Sequence, residues 1–113
     1  EILNDIKFYS KRINCLIIEF HDIKKNLKKI YNFIDNIKYL KSIHIHGNNI
    51  NKLDKNGYPY AIEITFINVK RIKYEKKSNY KNYPIAGLDF PSVKRNDDVN
   101  INFIWNIYEK DKN

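Results

Sequence analysis

Glycine is scarce in these 113 residues: there are three, Gly47, Gly57 and Gly87. None belongs to a Gly-x-Gly-x-x-Gly run or a P-loop, which essentially excludes a phosphate- or dinucleotide-cradling loop within the chain. The single cysteine, Cys15, excludes an internal disulfide, and no cysteine-rich zinc pattern exists. A reducing, cytoplasmic setting is therefore the expectation. No run of about 18 apolar residues occurs, so no membrane span is expected, and the opening residues do not read as a signal peptide. There is no Gly-x-Ser-x-Gly elbow, and Cys15 falls in an apolar run. No nucleophilic triad can be read.

Arginine is also rare. The net charge of +8 rests on lysine, with only Arg12, Arg71 and Arg95 beside it. Isoleucine (20), lysine (18) and asparagine (17) supply 55 of the 113 residues. These types share A/T-rich codons, so nucleotide bias accounts for much of the lysine. The densest group is Lys24, Lys25, Lys28 and Lys29, followed by Lys70, Arg71, Lys73, Lys76 and Lys77. A nucleic-acid footprint gathers Lys and Arg on one face, with Arg for bidentate contacts. That pattern is missing, so nucleic acid is not the expected partner. A solvated surface is favoured, with an acidic partner as the alternative.

What is present is enough for a core: 42% apolar and 14% aromatic residues. The length allows one domain but falls short of two βαβαβ halves. Ile2, Ile6 and Tyr9 share one face of a helix ending near residue 9, and the chain opens without a cap, as though inside a longer structure. Residues 15–20 form a nearly continuous apolar run, of the kind found in a buried parallel strand. Asp22 stands as a helix N-cap, and Ile23, Leu27, Ile30, Ile34 and Ile37 then form one stripe of a helix running to about Leu40. Residues 42–46 alternate as a second strand. Asp54-Lys55-Asn56-Gly57 makes a turn before a third strand over 60–67, with Pro59 at its entry. The strand–helix–strand unit predicts a right-handed crossover, and the third strand returns antiparallel. Residues 70–99 read as an ordered excursion anchored by Tyr80, Tyr83, Ile85, Leu88 and Phe90. Residues 100–107 alternate again, placing Ile101, Phe103, Trp105 and Ile107 on one face of a fourth strand.

Strand alternation gathers polar side chains as well. Glu19 and His21 share one face of the first strand, His44 and His46 one face of the second, and Glu63 one face of the third. Three readings compete for this cluster. Its members are paired structural groups, because an unpaired buried charge is too costly to persist. Or some of them line a cleft outside the carboxyl ends of parallel strands, where His21-Asp22 and His46-Gly47-Asn48-Asn49 would fall. Or His44, His46 and Glu63 hold a metal, since His-x-His sets two imidazoles on one strand face.

Glu1-Ile2-Leu3-Asn4-Asp5-Ile6, Leu16-Ile17-Ile18-Glu19-Phe20-His21-Asp22, Ile43-His44-Ile45-His46-Gly47-Asn48-Asn49 and Ala61-Ile62-Glu63-Ile64-Thr65-Phe66 together resemble the C-terminal part of FkbM-type methyltransferases. The likeness extends into Tyr83-Pro84-Ile85-Ala86-Gly87-Leu88-Asp89-Phe90-Pro91, and so covers nearly the whole chain. These are class I enzymes that use S-adenosylmethionine. The resemblance implies an α/β fold: the C-terminal part of a Rossmann-like sheet, parallel strand–helix–strand and then an antiparallel strand, three-layered in the complete protein. Residues 1–113 would be one partial domain, with the Gly-rich cofactor loop upstream of Glu1. The complete protein would methylate a small-molecule or glycan hydroxyl, and this chain alone would bind no cofactor and no metal.

On that reading His21 or His46 is the general base, since imidazole titrates near ~6.5. Glu19, Asp22, Asn48 and Asn49 would contact the acceptor. The competing reading is a non-catalytic basic module that binds an acidic partner. A segment that has lost its neighbouring strand would also self-associate through the 15–20 edge, unless the 101–107 strand covers it.

Overall fold

The computed structural model describes residues 1–73 and 83–101. It contains helix α1 (Ile2–Tyr9), a 3-10 turn (Ser10–Arg12), strand β1 (Cys15–His21), helix α2 (Ile23–Asn36), strand β2 (Leu40–Gly47) and strand β3 (Ala61–Asn68). The described residues form a small α/β structure: a three-stranded antiparallel sheet with two α-helices. No helix among the described residues is long and apolar enough to cross a membrane.

The apolar stripe of α2 produces the core. Ile23, Ile30, Phe33 and Ile34 are buried on the helix, and Leu27 packs beside them. They meet Phe20 of β1, Ile45 of β2 and Ile62, Ile64 and Phe66 of β3. Phe33 sits at the centre, its ring centroid 6.0 Å from Phe20 and 5.9 Å from Phe66. The helix is shorter than the stripe. It stops at Asn36, and Ile37 leaves it in an extended conformation while its N–H still bonds to Phe33 O. Ile37 keeps the helical spacing because it is buried on its way into β2, where Leu40 is fully buried.

The strand order is β1-β3-β2, with β3 antiparallel to both neighbours. β1 and β2 therefore run in the same direction without pairing. This corrects the expectation of a parallel pair and of a buried 15–20 strand. β3 is buried or half-buried at every position, as a central strand must be. Along β1 residues alternate between exposed and covered, and Cys15 and Ile17 face solvent, which suits an edge.

Two further details depart from the pattern. β2 carries a bulge between Ser42 and His44, so Ile43 has no register partner and is exposed instead of joining Ile45 in the core. In α1 Leu3 and Ile6 lean on the core, whereas Ile2 and Tyr9 are exposed.

Residues 83–101 pack against the sheet at β2. Tyr83, Ile85, Val99 and Ile101 are buried, while Leu88 and Phe90 are exposed. The chain at Gly47 comes so close that a Cβ there would lie 2.9 Å from Ile101 Cγ2 and 3.0 Å from Val99 Cβ. Only glycine permits that approach. Tyr80, Lys76, Lys77 and the Phe103, Trp105 and Ile107 part of the expected fourth strand lie outside the described residues.

Candidate functional site

The register brings the polar face together. Glu19 of β1 stands opposite Glu63 of β3, which stands opposite His46 of β2, in one row across the sheet. His21 pairs with Ala61 one step towards the end of β1, and His44 with Thr65 one step the other way. The cluster then divides by partner.

The β2 half is a fastening for the covering segment. His44 Nε2 donates to Asp89, 2.9 Å from Oδ1, and its ring meets Tyr83 edge-on at 5.7 Å. Asp89 Oδ2 also accepts the Ile85 N–H at 2.7 Å. His46, nearly buried, donates to both oxygens of Asp98 at 3.0 and 3.2 Å. Asn49 is buried too. Its Nδ2 points to the carbonyls of Val93, Asn96 and Asp97, and its Oδ1 accepts the Val93 N–H at 2.8 Å. These groups pair inside the protein, as buried polar groups must. Among the described residues no group of three or more His, Cys, Asp or Glu is placed to hold a metal. The His44–His46–Glu63 metal reading ends there.

The β1 half is open. Glu19 Oε1 lies 2.6 Å from His21 Nε2, and Glu19 Oε2 accepts Asn48 Nδ2 at 3.0 Å. These bonds, His21 first and Asn48 second, hold the Glu19 carboxyl below its ordinary range. Asn48 is itself fixed: its N–H bonds to Ala61 O, and its Oδ1 accepts the Ile50 N–H. Tyr60 lies against His21, ring centroids 5.5 Å apart. Glu19, His21, Asn48 and Tyr60 line a chamber of about 160 Å³. An ionised carboxylate can only accept, so the contact with Glu19 calls for a proton on His21 Nε2, and in the neutral ring Nδ1 is then the accepting nitrogen.

Asp22 follows in the left-handed region, φ 50° and ψ 52°, a conformation that Asp tolerates better than most residues. It occupies the N-cap of α2, yet its side chain makes no capping bond, contrary to the sequence expectation. Asn26 ties the junction instead, its Nδ2 donating to His21 O at 3.1 Å. The turn swings α2 away sharply and leaves His21 at the rim. A groove of about 650 Å³ lies on the other side, lined by Asp22, Lys24, Lys25, Lys52, Tyr58 and Tyr60 among others. Periodicity did not reveal this groove, because the 50–59 loop that forms its far wall has no repeat.

The candidate residues thus separate. Glu19, His21 and Asn48 converge on the chamber, with Asp22 beside it, while His46 and Asn49 are committed to residues 93–98. The chain was compared with known family models, curated proteins and solved structures, and it matches none of them.

Proposed function

We propose that this chain is the C-terminal, acceptor-side segment of an S-adenosylmethionine-dependent methyltransferase that acts on a small-molecule or glycan hydroxyl. The observation that carries the mechanism is the Glu19–His21 pair at the open end of β1. The order of elements, strand, helix, strand and then a reversed strand, supports this reading, although β1 and β2 each pair with β3 and not with one another.

S-adenosylmethionine would supply the methyl group. The described residues do not fit as its cradle. The β1–α2 connection is the single residue Asp22, with no glycine. The space beside Gly47 is filled by Ile101 and Val99, and Gly57 and Gly87 have no neighbour within 4 Å of a built Cβ. The donor would thus be held by residues other than these.

The chain's own residues handle the acceptor. An acceptor hydroxyl entering the chamber meets His21 Nδ1, which takes its proton. Glu19 fixes the ring through Nε2 and stabilises the imidazolium that forms. Asn48 holds Glu19 in place, and Tyr60 limits rotation of the imidazole. His46, paired with Asp98, is left out of this scheme, so His21 is the base. A cytoplasmic setting belongs to the same proposal and suits a reduced, exposed Cys15.

The reading is tested by the coding frame upstream of Glu1. A strand followed by a Gly-rich loop is expected there. A start codon immediately before Glu1 would overturn the proposal.

A further inference from the structure

The groove beside the His21 chamber has its own chemistry. Lys24 and Lys25 come from the first turn of α2 and Lys52 from the 50–59 loop, so three lysines line one space. Asp54 shares that wall: its Oδ1 accepts the Tyr58 N–H at 2.9 Å and the Asn56 N–H at 2.8 Å, and these bonds, with Lys24 nearby, hold its carboxyl below the ordinary range. Asp22 is the second carboxylate, so three lysines outnumber two acids in the lining. Tyr58 and Tyr60 add aromatic surface. Tyr60 and Asn51 line both the groove and the chamber, so the two spaces adjoin across them.

We propose that this groove binds a hydroxylated ring carrying an anionic group, a phosphate or a carboxylate. The lysines take the anion and a tyrosine face covers the ring. Asp22 accepts from ring hydroxyls, so a neighbouring hydroxyl is presented to His21. The inference rests on His21 acting on an acceptor hydroxyl and names the class of that acceptor: an acidic sugar.

Lysines scattered on a surface attract any anion, and a plain sugar carries none. An acidic sugar is singled out only where charge and ring surface share one space, as in this groove, which Lys24, Lys52 and Tyr60 all line. The groove volume of about 650 Å³ lies within the range of small-ligand pockets.

Calorimetry on the full chain at about 0.15 M salt tests this, where long-range attraction is screened. The probes are glucose 6-phosphate, glucuronate, glucose and inorganic phosphate. Saturable one-site binding of glucose 6-phosphate or glucuronate is expected, with glucose and phosphate each at least tenfold weaker. Which acidic sugar binds identifies the anion. The double variant K24A/K52A should weaken the site at least fivefold, and K70A/K73A, with the same charge change away from the groove, should leave it intact. Absence of binding by both acidic sugars would overturn the inference, as would equal binding of phosphate alone or equal losses in the two double variants. Binding is read without methyl transfer. If the site fails, the methyltransferase reading still stands. If the upstream frame lacks a cofactor loop, an acidic-sugar site measured here survives without that reading.

Discussion

Glu19 bridges two residues that are 27 apart in sequence: one carboxylate oxygen holds His21 at 2.6 Å and the other holds Asn48 at 3.0 Å. The ends of β1 and β2 are thereby linked around the sheet, although the strands themselves do not pair. The ionised form of Glu19 is favoured in the folded protein. Its contribution to stability is therefore present above the ordinary value of 4.5 and lost as pH falls through the lowered one. Exposure of both side chains keeps that contribution small. A carboxyl NMR titration should place Glu19 below 4.5, and His21→Ala should move it back up. A midpoint unchanged by His21→Ala would count against the pair.

The two histidines proposed from sequence as bases should respond differently when replaced. In the protein made from the complete coding frame, His21→Ala should reduce methyl transfer by about 100-fold or more, with donor affinity unchanged. His46→Ala removes the side-chain donor to Asp98, leaving it the Val99 N–H, and should cost roughly 1–3 kcal/mol of stability. Urea unfolding alongside a donor-binding measurement separates the two effects. A larger activity loss from His46→Ala at equal stability would reverse the assignment.

Two buried asparagines carry more of the structure than their type suggests. Asn68 is fully buried and donates to the carbonyls of Ser10, Lys11 and Ile13, while its Oδ1 accepts the Lys70 N–H. It ties the turn after α1 to the end of β3. Asn49 does the same for residues 93–97. Alanine at either position should destabilise by about 2 kcal/mol, because several carbonyls, most of them partly buried, lose their donor. Asn48→Ala, at an exposed contact, should cost less. Denaturant midpoints would show that order or refute it.

Gly47→Ala forces a methyl group against Val99 and Ile101 and should destabilise by about 1–3 kcal/mol. Greater protease sensitivity in the 93–101 stretch, with the β1–β3 core still protected, is the expected signature. Uniform loss of protection would mean that the contact at Gly47 is not what the methyl group disturbs.

Among the described residues β1 is an edge strand, and Ile17 on its outer face is 67% exposed. Strand edges of this kind invite pairing with another chain. Light scattering over a concentration series should show reversible self-association, and Ile17→Lys should suppress it. Mass that stays monomeric at every concentration would show that this edge is not used.

The sequence disclosed the elements better than their arrangement. Helix α2 was legible because a stripe at spacings of three and four has one structural meaning. Alternation in 15–20, 42–46 and 60–67 assigned side chains to faces, whereas the Glu19–Glu63–His46 row comes from the register. Alternation says nothing about which strand is a neighbour, so the central place of β3 was missed. The bulge that exposes Ile43 was equally hidden, since an extra residue leaves no mark in composition. The partners of Asn49 were not legible because they lie 44 to 48 residues away in a segment without periodicity. Asn68 was overlooked for a similar reason: a polar residue closing a strand reads as solvent-facing unless its distant partners are known.

The central claim is that these residues form the acceptor side of a methyltransferase whose donor site is formed elsewhere. Calorimetric titration of S-adenosylmethionine tests it most directly, with the 113-residue chain and the product of the complete coding frame measured side by side. Saturable binding to the complete product and none to the chain alone is the predicted result. Failure of the complete product to bind the donor, or equal binding by the chain alone, would contradict the account.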